Sequence, residues 1–284
     1  MSLSPNSCPV GKFKSILQSF AQGPGLPLRD VLTEEIIHGA VEAERVASFG
    51  TIYTTALVVW AFVTQALTKD QTCLAAVVRI SAALTAAGQP LCSSGTGAYC
   101  KARQKLPEAL LRRLTYDIGN AVEDQVPAAW RWQGRRTLLI DGTTLSAPDT
   151  PANQAVYPQS RSQKPGVGFP IIRVVALLAL ATATVTGAAF GPYRGKETGE
   201  TALLRTLFDQ LRSGDVVVAD RYYCSYWMLA LLRQLGVDCV FRLHQLRQYD
   251  FSQARSLGVD DQVVVWIKPA CPDWMDAKIG RAHV

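Results

Sequence analysis

The sequence predicts an α/β protein: a mixed five-stranded sheet with flanking helices, behind an all-helical N-terminal region and ahead of the start of a β-rich piece. Three observations carry this. Helical periodicity and helix-start signals fill residues 1–130. The texture then changes at RWQGRR, 131–136, and short apolar runs replace the helical pattern. Those runs follow the order of three strands, then helix, strand, helix, strand, which is the order of a mixed sheet.

The elements follow in chain order. Thr33 precedes EEIIHGAVEAERV, with two glutamates in the first turn, where the helix dipole favours them. Thr68 and Gln71 have capping-box spacing ahead of CLAAVVRISAAL. SSGTG, 93–97, marks a turn or helix start, and Pro107 with Glu108 opens a helix through LLRRLTYDIGNAVEDQV. TLLIDGTTL reads as a buried strand with a polar interruption, and the polar, Pro-rich stretch APDTPANQAVYPQSRSQKPGVG as a loop. VVALLALATATVTGAAFG, 174–191, reads as two buried strands joined by a tight turn. GPYRGKETGE is a loop feeding a helix over TALLRTLFDQLRSG, which Gly214 closes. DVVVAD is a strand, CSYWMLALLRQLG a helix and VDCVFRL a strand. Beyond residue 243 one strand-like run remains, QVVVWIK, and the final KIGRAHV matches nothing before it and reads as a foreign tail.

Composition bounds the class. The chain has 284 residues, 48% hydrophobic and 18% charged, an ordinary globular balance. A net charge of +6 is compatible with a polyanionic partner. Seven cysteines, at 8, 73, 92, 100, 224, 239 and 271, form no CxxC and read as reduced packing thiols. The polar, Pro-broken N-terminus carries no secretory signal. The apolar stretch 54–67 is too short to span a bilayer, and 174–191 is too rich in Ala, Thr and Gly. These features point to a cytoplasmic protein.

Two carboxylates stand where apolar strands run out. Asp141 interrupts LLIDGTTL and Asp220 ends VVVAD. A turn aspartate accounts for either one alone. If the two strands are parallel neighbours, both carboxylates leave one region of one sheet and can hold Mg²⁺ or Mn²⁺, with phosphate oxygens completing the shell. Basic residues lie in flexible segments: Arg161 and Lys164 in RSQKPG, Arg194 and Lys196 in GPYRGKETGE, and Arg221 directly after Asp220. They suit phosphates, although a solvated charged loop reads the same way. Tyr222 or Tyr223 could stack on a base, whereas Trp227 and Met228 read as core. His38, His244 and His283 form no ligand or triad pattern, and Ser146 and Ser162 have no histidine base, so serine-hydrolase chemistry is unsupported. A phosphatase of the haloacid-dehalogenase type needs an aspartate two residues before Asp141, where Leu139 stands. A non-catalytic DNA-binding protein stays open as the reading in a different class.

Taken together, GTGAYCKARQKLP (95–107), LLIDGTTLSAPDTPANQAVYPQSRSQKPGVGFPI (138–171), GPYRGKETGE (191–200) and GDVVVADRYYCSYWMLALL (214–232) resemble DDE transposases of bacterial insertion sequences. The similarity is to the insertion-sequence-four, Tn-five-like group. It implies an RNase H-like core over 131–242, behind a helical domain, 1–130, that binds DNA ends. It implies that Asp141 and Asp220 are the first two catalytic carboxylates, which hold two Mg²⁺ or Mn²⁺ ions in the complete enzyme. It implies double-stranded DNA partners, terminal inverted repeats and target, and a homodimer in the full-length synaptic complex, with the enzyme acting at the nucleoid. The family's third carboxylate is a glutamate in a motif spaced Tyr-x2-Arg-x3-Glu-x6-Lys. No glutamate follows Glu200, Tyr249 lacks the spaced Arg, and nothing places Asp273 or Asp276 on a helix facing the site. The resemblance therefore predicts a truncated transposase, with an incomplete insertion domain at 243–277, a non-native tail at 278–284 and little catalytic activity.

Overall fold

The computed structural model describes residues 32–47, 50, 52–164, 166–243 and 252–275. Readings placed on His244, Tyr249, Asp276, His283 and the KIGRAHV tail lie outside the described residues. The chain divides into two compact units, Met1–Ile118 and Gly119–Val284.

The first unit is helical among its described residues. Helices α1 (Glu34–Ala43), α2 (Thr55–Leu67), α3 (Cys73–Ala86) and α4 (Gly97–Arg103) lead into α5 (Glu108–Asp124), which runs on into the second unit. Threonine hydroxyls start three of them: Thr33, Thr54 and Thr72 accept from Ile36, Leu57 and Ala75 N–H. The cap of α3 is thus Thr72. Thr68, with Gln71 at capping-box spacing, instead ends α2, and the Gln71 amide turns back to the Ala66 carbonyl at 2.9 Å. The core packs Ile37, Val59, Trp60, Val77, Ile80, Tyr99 and Leu110. The buried Gln65 is matched on both sides: Oε1 accepts from Tyr99 Oη at 2.7 Å and Nε2 donates to the Gln71 carbonyl at 2.6 Å. Burial pushes the Tyr99 phenol up to about 12, which keeps it a donor.

In the second unit five strands form one sheet in the order β3-β2-β1-β4-β5. They are β1 (Thr137–Ser146), β2 (Ile171–Ala179), β3 (Val185–Pro192), β4 (Val216–Ala219) and β5 (Asp238–Phe241). β1 pairs antiparallel with β2, β2 antiparallel with β3, and β4 parallel with both β1 and β5. Short helices α6 (Pro151–Val156), α7 (Glu200–Arg205) and α8 (Tyr226–Gln234) fill the connections. Leu138, Ile140, Val175, Leu177, Val217, Leu204, Met228 and Leu232 form the core between sheet and helices. Gly119 sits where α5 meets β3: a Cβ there would lie 2.9 Å from both Thr186 Cα and the Val185 carbonyl. Cys239 packs against the core, and burial pushes its thiol up to about 12.

Three segments differ from the sequence expectation. TALLRTLFDQLRSG is α7 followed by a 3₁₀ turn at Phe208–Gln210, and the Gln210 carbonyl accepts from Arg136 Nη2 (3.1 Å). The Pro-rich loop contains α6, capped by Thr150. QVVVWIK is strand only in β7 (Asp261–Val263), which pairs with β6 (Arg255–Gly258). Beyond it Trp266 leaves the strand to pack edge-on against Tyr226, at 6.0 Å between ring centroids.

Among the described residues no helix is long and apolar enough to cross a membrane. The stretch 174–191 lies across β2 and β3 as a hairpin, not a span.

One buried ion pair ties the leading ends of β1 and β4. Arg136 grips Asp215 through Nη2–Oδ2 (2.5 Å) and Nε–Oδ1 (2.9 Å), with the two side chains 5% and 4% exposed. Arg136 Nη1 donates to Asn120 Oδ1, and the Arg212 N–H donates to Asp215 Oδ2 at 2.7 Å. Removing one partner leaves an uncompensated buried charge. Asp215→Ala is expected to cost about 3–5 kcal/mol, read as a lower urea midpoint; a loss within experimental error would show that the pair does not hold the strands together.

Candidate active site

The parallel register of β1 and β4 ends at Ile140↔Ala219. The next residue on each strand is a carboxylate, Asp141 and Asp220, on neighbouring chains about 4.8 Å apart. β4 stops there, while β1 continues five residues further alongside β2. The two aspartates therefore sit on a step in the sheet, and both are exposed. Each spends one oxygen locally. Asp141 Oδ1 accepts from the Gly142 N–H and Asp220 Oδ1 from the Tyr222 N–H, both at 2.8 Å. The second bond is an Asx turn, so Asp220 does end its strand as a turn residue. Among the described residues neither carboxylate is in an ion pair.

Two residues to which the sequence assigned no role at the carboxylates, Tyr223 and Glu200, lie beside the segments that carry them. Tyr223, 1% exposed, donates its hydroxyl to Glu200 Oε2 at 3.2 Å. Burial holds its phenol far above the ordinary tyrosine range, and the charges of Glu200, Asp141 and Asp220 add to that. The Glu200 carboxyl lies against Gly142: a Cβ there would be 2.6 and 2.8 Å from Oε2 and Oε1. Tyr223 is too buried to stack on a base, whereas Tyr222, 52% exposed, remains available. Trp227 and Met228 are both core.

The structure brings together Arg161 and Arg194. They line one cavity of ≈ 520 Å³ with Asp149, Gln154, Gln159 and Gln163. Arg194 Nη1 donates to the Gln159 carbonyl at 3.1 Å, and its Nε is buried with no hydrogen-bond partner. Lys164 and Lys196 are exposed and do not line the cavity, and Arg221 is half-buried beside Asp220. The loop that carries Arg161 is organised by Gln159, 8% exposed. Its Oε1 accepts from Gly166 and Gly168 N–H, and its Nε2 donates to the Lys164 carbonyl at 2.8 Å. The loop that carries Arg194 is held by Arg173, which donates to the Thr198 carbonyl at 2.8 Å and lies over the Tyr193 ring. A glutamine in a polar loop gives no sequence signal for such a role; only the fold shows it.

A mixed five-stranded sheet with flanking helices, after a helical N-terminal region, matches the fold that the sequence resemblance implies. Residues 132–265 match the family model of the transposase DDE domain. Over that segment the chain is similar to the DDE transposases. It is similar to transposase InsG of insertion sequence element IS4 from Escherichia coli strain K12, 26% identical over 209 residues, covering 73% of this chain and 46% of that protein. It is also similar to InsZ of the same strain, 28% identical over 108 residues, covering 38% of this chain and 35% of that protein. The chain spans under half the length of either relative.

The Gln159 arrangement is directly testable. Gln159→Leu keeps the bulk of the side chain but removes its acceptor, and hydrogen exchange at the Gly166 and Gly168 amides should accelerate about tenfold or more. Unchanged protection there would mean that the loop is held by other contacts.

Proposed function

We propose that this chain performs the DNA-binding and metal-binding work of an insertion-sequence transposase, with Asp141 and Asp220 as the catalytic carboxylates. The observation that supports this most is the register of β1 and β4, which delivers two carboxylates with uncommitted oxygens to adjacent positions. Such a pair of hard oxygen donors fits Mg²⁺ or Mn²⁺. Bound there, the ions would lower the pKa of the attacking oxygen and offset charge on the leaving oxygen. In the reaction the family resemblance implies, water attacks the phosphodiester at a transposon end and the P–O3′ bond breaks. The freed 3′-hydroxyl then attacks a target phosphodiester. Asp141 and Asp220 serve both steps from one place.

In this reading Arg161 and Arg194 take a backbone phosphate in their shared cavity, and Lys164, Lys196 and Arg221 contact further phosphates. The helical first unit recognises DNA ends, and two copies pair the ends in a synaptic complex at the nucleoid. Among the described residues no group of three or more His, Cys, Asp or Glu side chains is arranged to hold a metal. In this reading the 284-residue chain transfers strands poorly, since Asp141 and Asp220 are two of the three carboxylates that the family resemblance implies; the alternative is a non-catalytic DNA-binding protein, which needs no metal.

Three measurements test it. Asp141→Asn and Asp220→Asn should each abolish Mn²⁺ binding measured by calorimetry, with duplex affinity unchanged within about threefold; retained Mn²⁺ binding in both would overturn the assignment. Arg161→Ala and Arg194→Ala should each weaken duplex binding and reduce the log–log salt slope by about 1; an unchanged slope would remove the cavity from the DNA path. With Mg²⁺ and terminal-repeat DNA the chain should give little strand transfer, and efficient transfer would contradict the third part of the reading.

A further inference from the structure

Glu200 has a place that neither a capping role nor a solvated loop explains. It is the first residue of α7, yet its carboxyl folds onto the backbone of β1 immediately after Asp141. Residue 142 has room for that carboxyl only because it is glycine: a Cβ would stand 2.6 Å from Oε2. The same Oε2 accepts the Tyr223 hydroxyl, from the turn that begins at Asp220. One side chain thus touches both segments that carry the aspartates, β1 through Gly142 and the turn after β4 through Tyr223. Like-charged carboxylates gathered around one buried phenol repel one another. Their spacing needs a fixed element between them, and Tyr223 with Glu200 supplies it. Among the described residues Glu200 is in no ion pair that would give it another task.

We propose that Glu200 is a positioning residue of the phosphoryl-transfer site, a strut that sets the spacing of Asp141 and Asp220 through Gly142 and Tyr223. This rests on the reading of the two aspartates as cation ligands. The strut acts through shape and one accepted hydrogen bond, both of which glutamine reproduces. The segments it joins are otherwise secured by the sheet and by the Asx turn of Asp220, so its loss should loosen the site without unfolding the domain.

The test is Mn²⁺ titration of the full chain, followed by calorimetry, with the metal-free melting temperature measured in parallel. Glu200→Ala and Tyr223→Phe should each weaken Mn²⁺ binding by about tenfold or more, as loss of a residue that orients a ligand does. Glu200→Gln should stay within about threefold of the parent chain, and none of the three should lower the metal-free melting temperature by more than a few degrees. Tyr223→Phe removes a single oxygen, so it tests the strut even if Glu200→Ala folds poorly. Parent-like Mn²⁺ affinity in Glu200→Ala and Tyr223→Phe would overturn the proposal. So would equal losses in Glu200→Gln and Glu200→Ala, which would make charge rather than position the contribution. If the parent chain itself binds no Mn²⁺, the reading of Asp141 and Asp220 fails. If it binds and the aspartate variants do not, while Glu200→Ala does, only the strut fails.

Discussion

The buried pair of Arg136 and Asp215 is the constraint on which the site depends. Arg136 precedes β1 and Asp215 precedes β4, and each stands five positions before its strand's aspartate, Asp141 or Asp220. The Arg136 carbonyl also accepts the Val216 N–H at 2.9 Å, the first rung of the parallel ladder. A bidentate guanidinium–carboxylate contact tolerates little sliding. Side chains in a strand alternate faces, so a slip of one residue would send one aspartate to the face opposite its partner. A charge pair in the dry leading end of the strands thus fixes the geometry of a charge pair at their wet trailing end.

The trailing end shows why a turn residue and a ligand need not be alternatives. Asp220 uses Oδ1 for the Asx turn that stops β4 and redirects the chain towards α8, and among the described residues Oδ2 is in no ion pair. Asp141 likewise anchors one oxygen on its neighbour's amide. Such bonds restrict the carboxylate rotamers before any ligand arrives, which lowers the ordering cost of binding. Because β4 stops where β1 continues, the two exposed aspartates sit where β1 goes on paired with β2 alone. The cavity of Arg161 and Arg194 lies beyond the far end of β1, after Ser146, where β1 gives way to the loop. Five residues of strand separate Asp141 from Ser146, about 17 Å.

Much of this was legible in the sequence, for physical reasons that differ by element. Apolar runs such as VVVA and VVALLALA announce buried strands through composition alone, and the order of helices between them fixes which pairs are parallel. Thr33 is a readable cap because its hydroxyl acts within four residues. The cap of α3 was not readable. Thr68 and Gln71 satisfy the spacing rule, but the chain turns at Thr68, and Thr72 takes the role. Helix α7 ends early, at Arg205, where the bonds of Thr206 and Leu207 shorten to Leu203 and Leu204, and nothing local in TALLRTLFDQ announces that change. Asp141 and Asp220 stood out as charges in apolar runs. Glu200 and Gln159 did not, since nothing local distinguishes a glutamate or glutamine in a polar loop until the fold shows what it touches, and Tyr223 read as a stacking residue until its burial showed otherwise.

The central claim is that Asp141 and Asp220 form one cation site because β1 and β4 are locked in register. The most direct measurement is paramagnetic broadening of backbone amide signals as Mn²⁺ is added at substoichiometric levels to isotope-labelled chain. Broadening falls off steeply with distance, so it maps the ion onto the backbone. The account predicts that Gly142 and Arg221 amides broaden first and together, before those of the Arg161 and Arg194 loops. Broadening centred elsewhere, or at only one of the two aspartates, would contradict it.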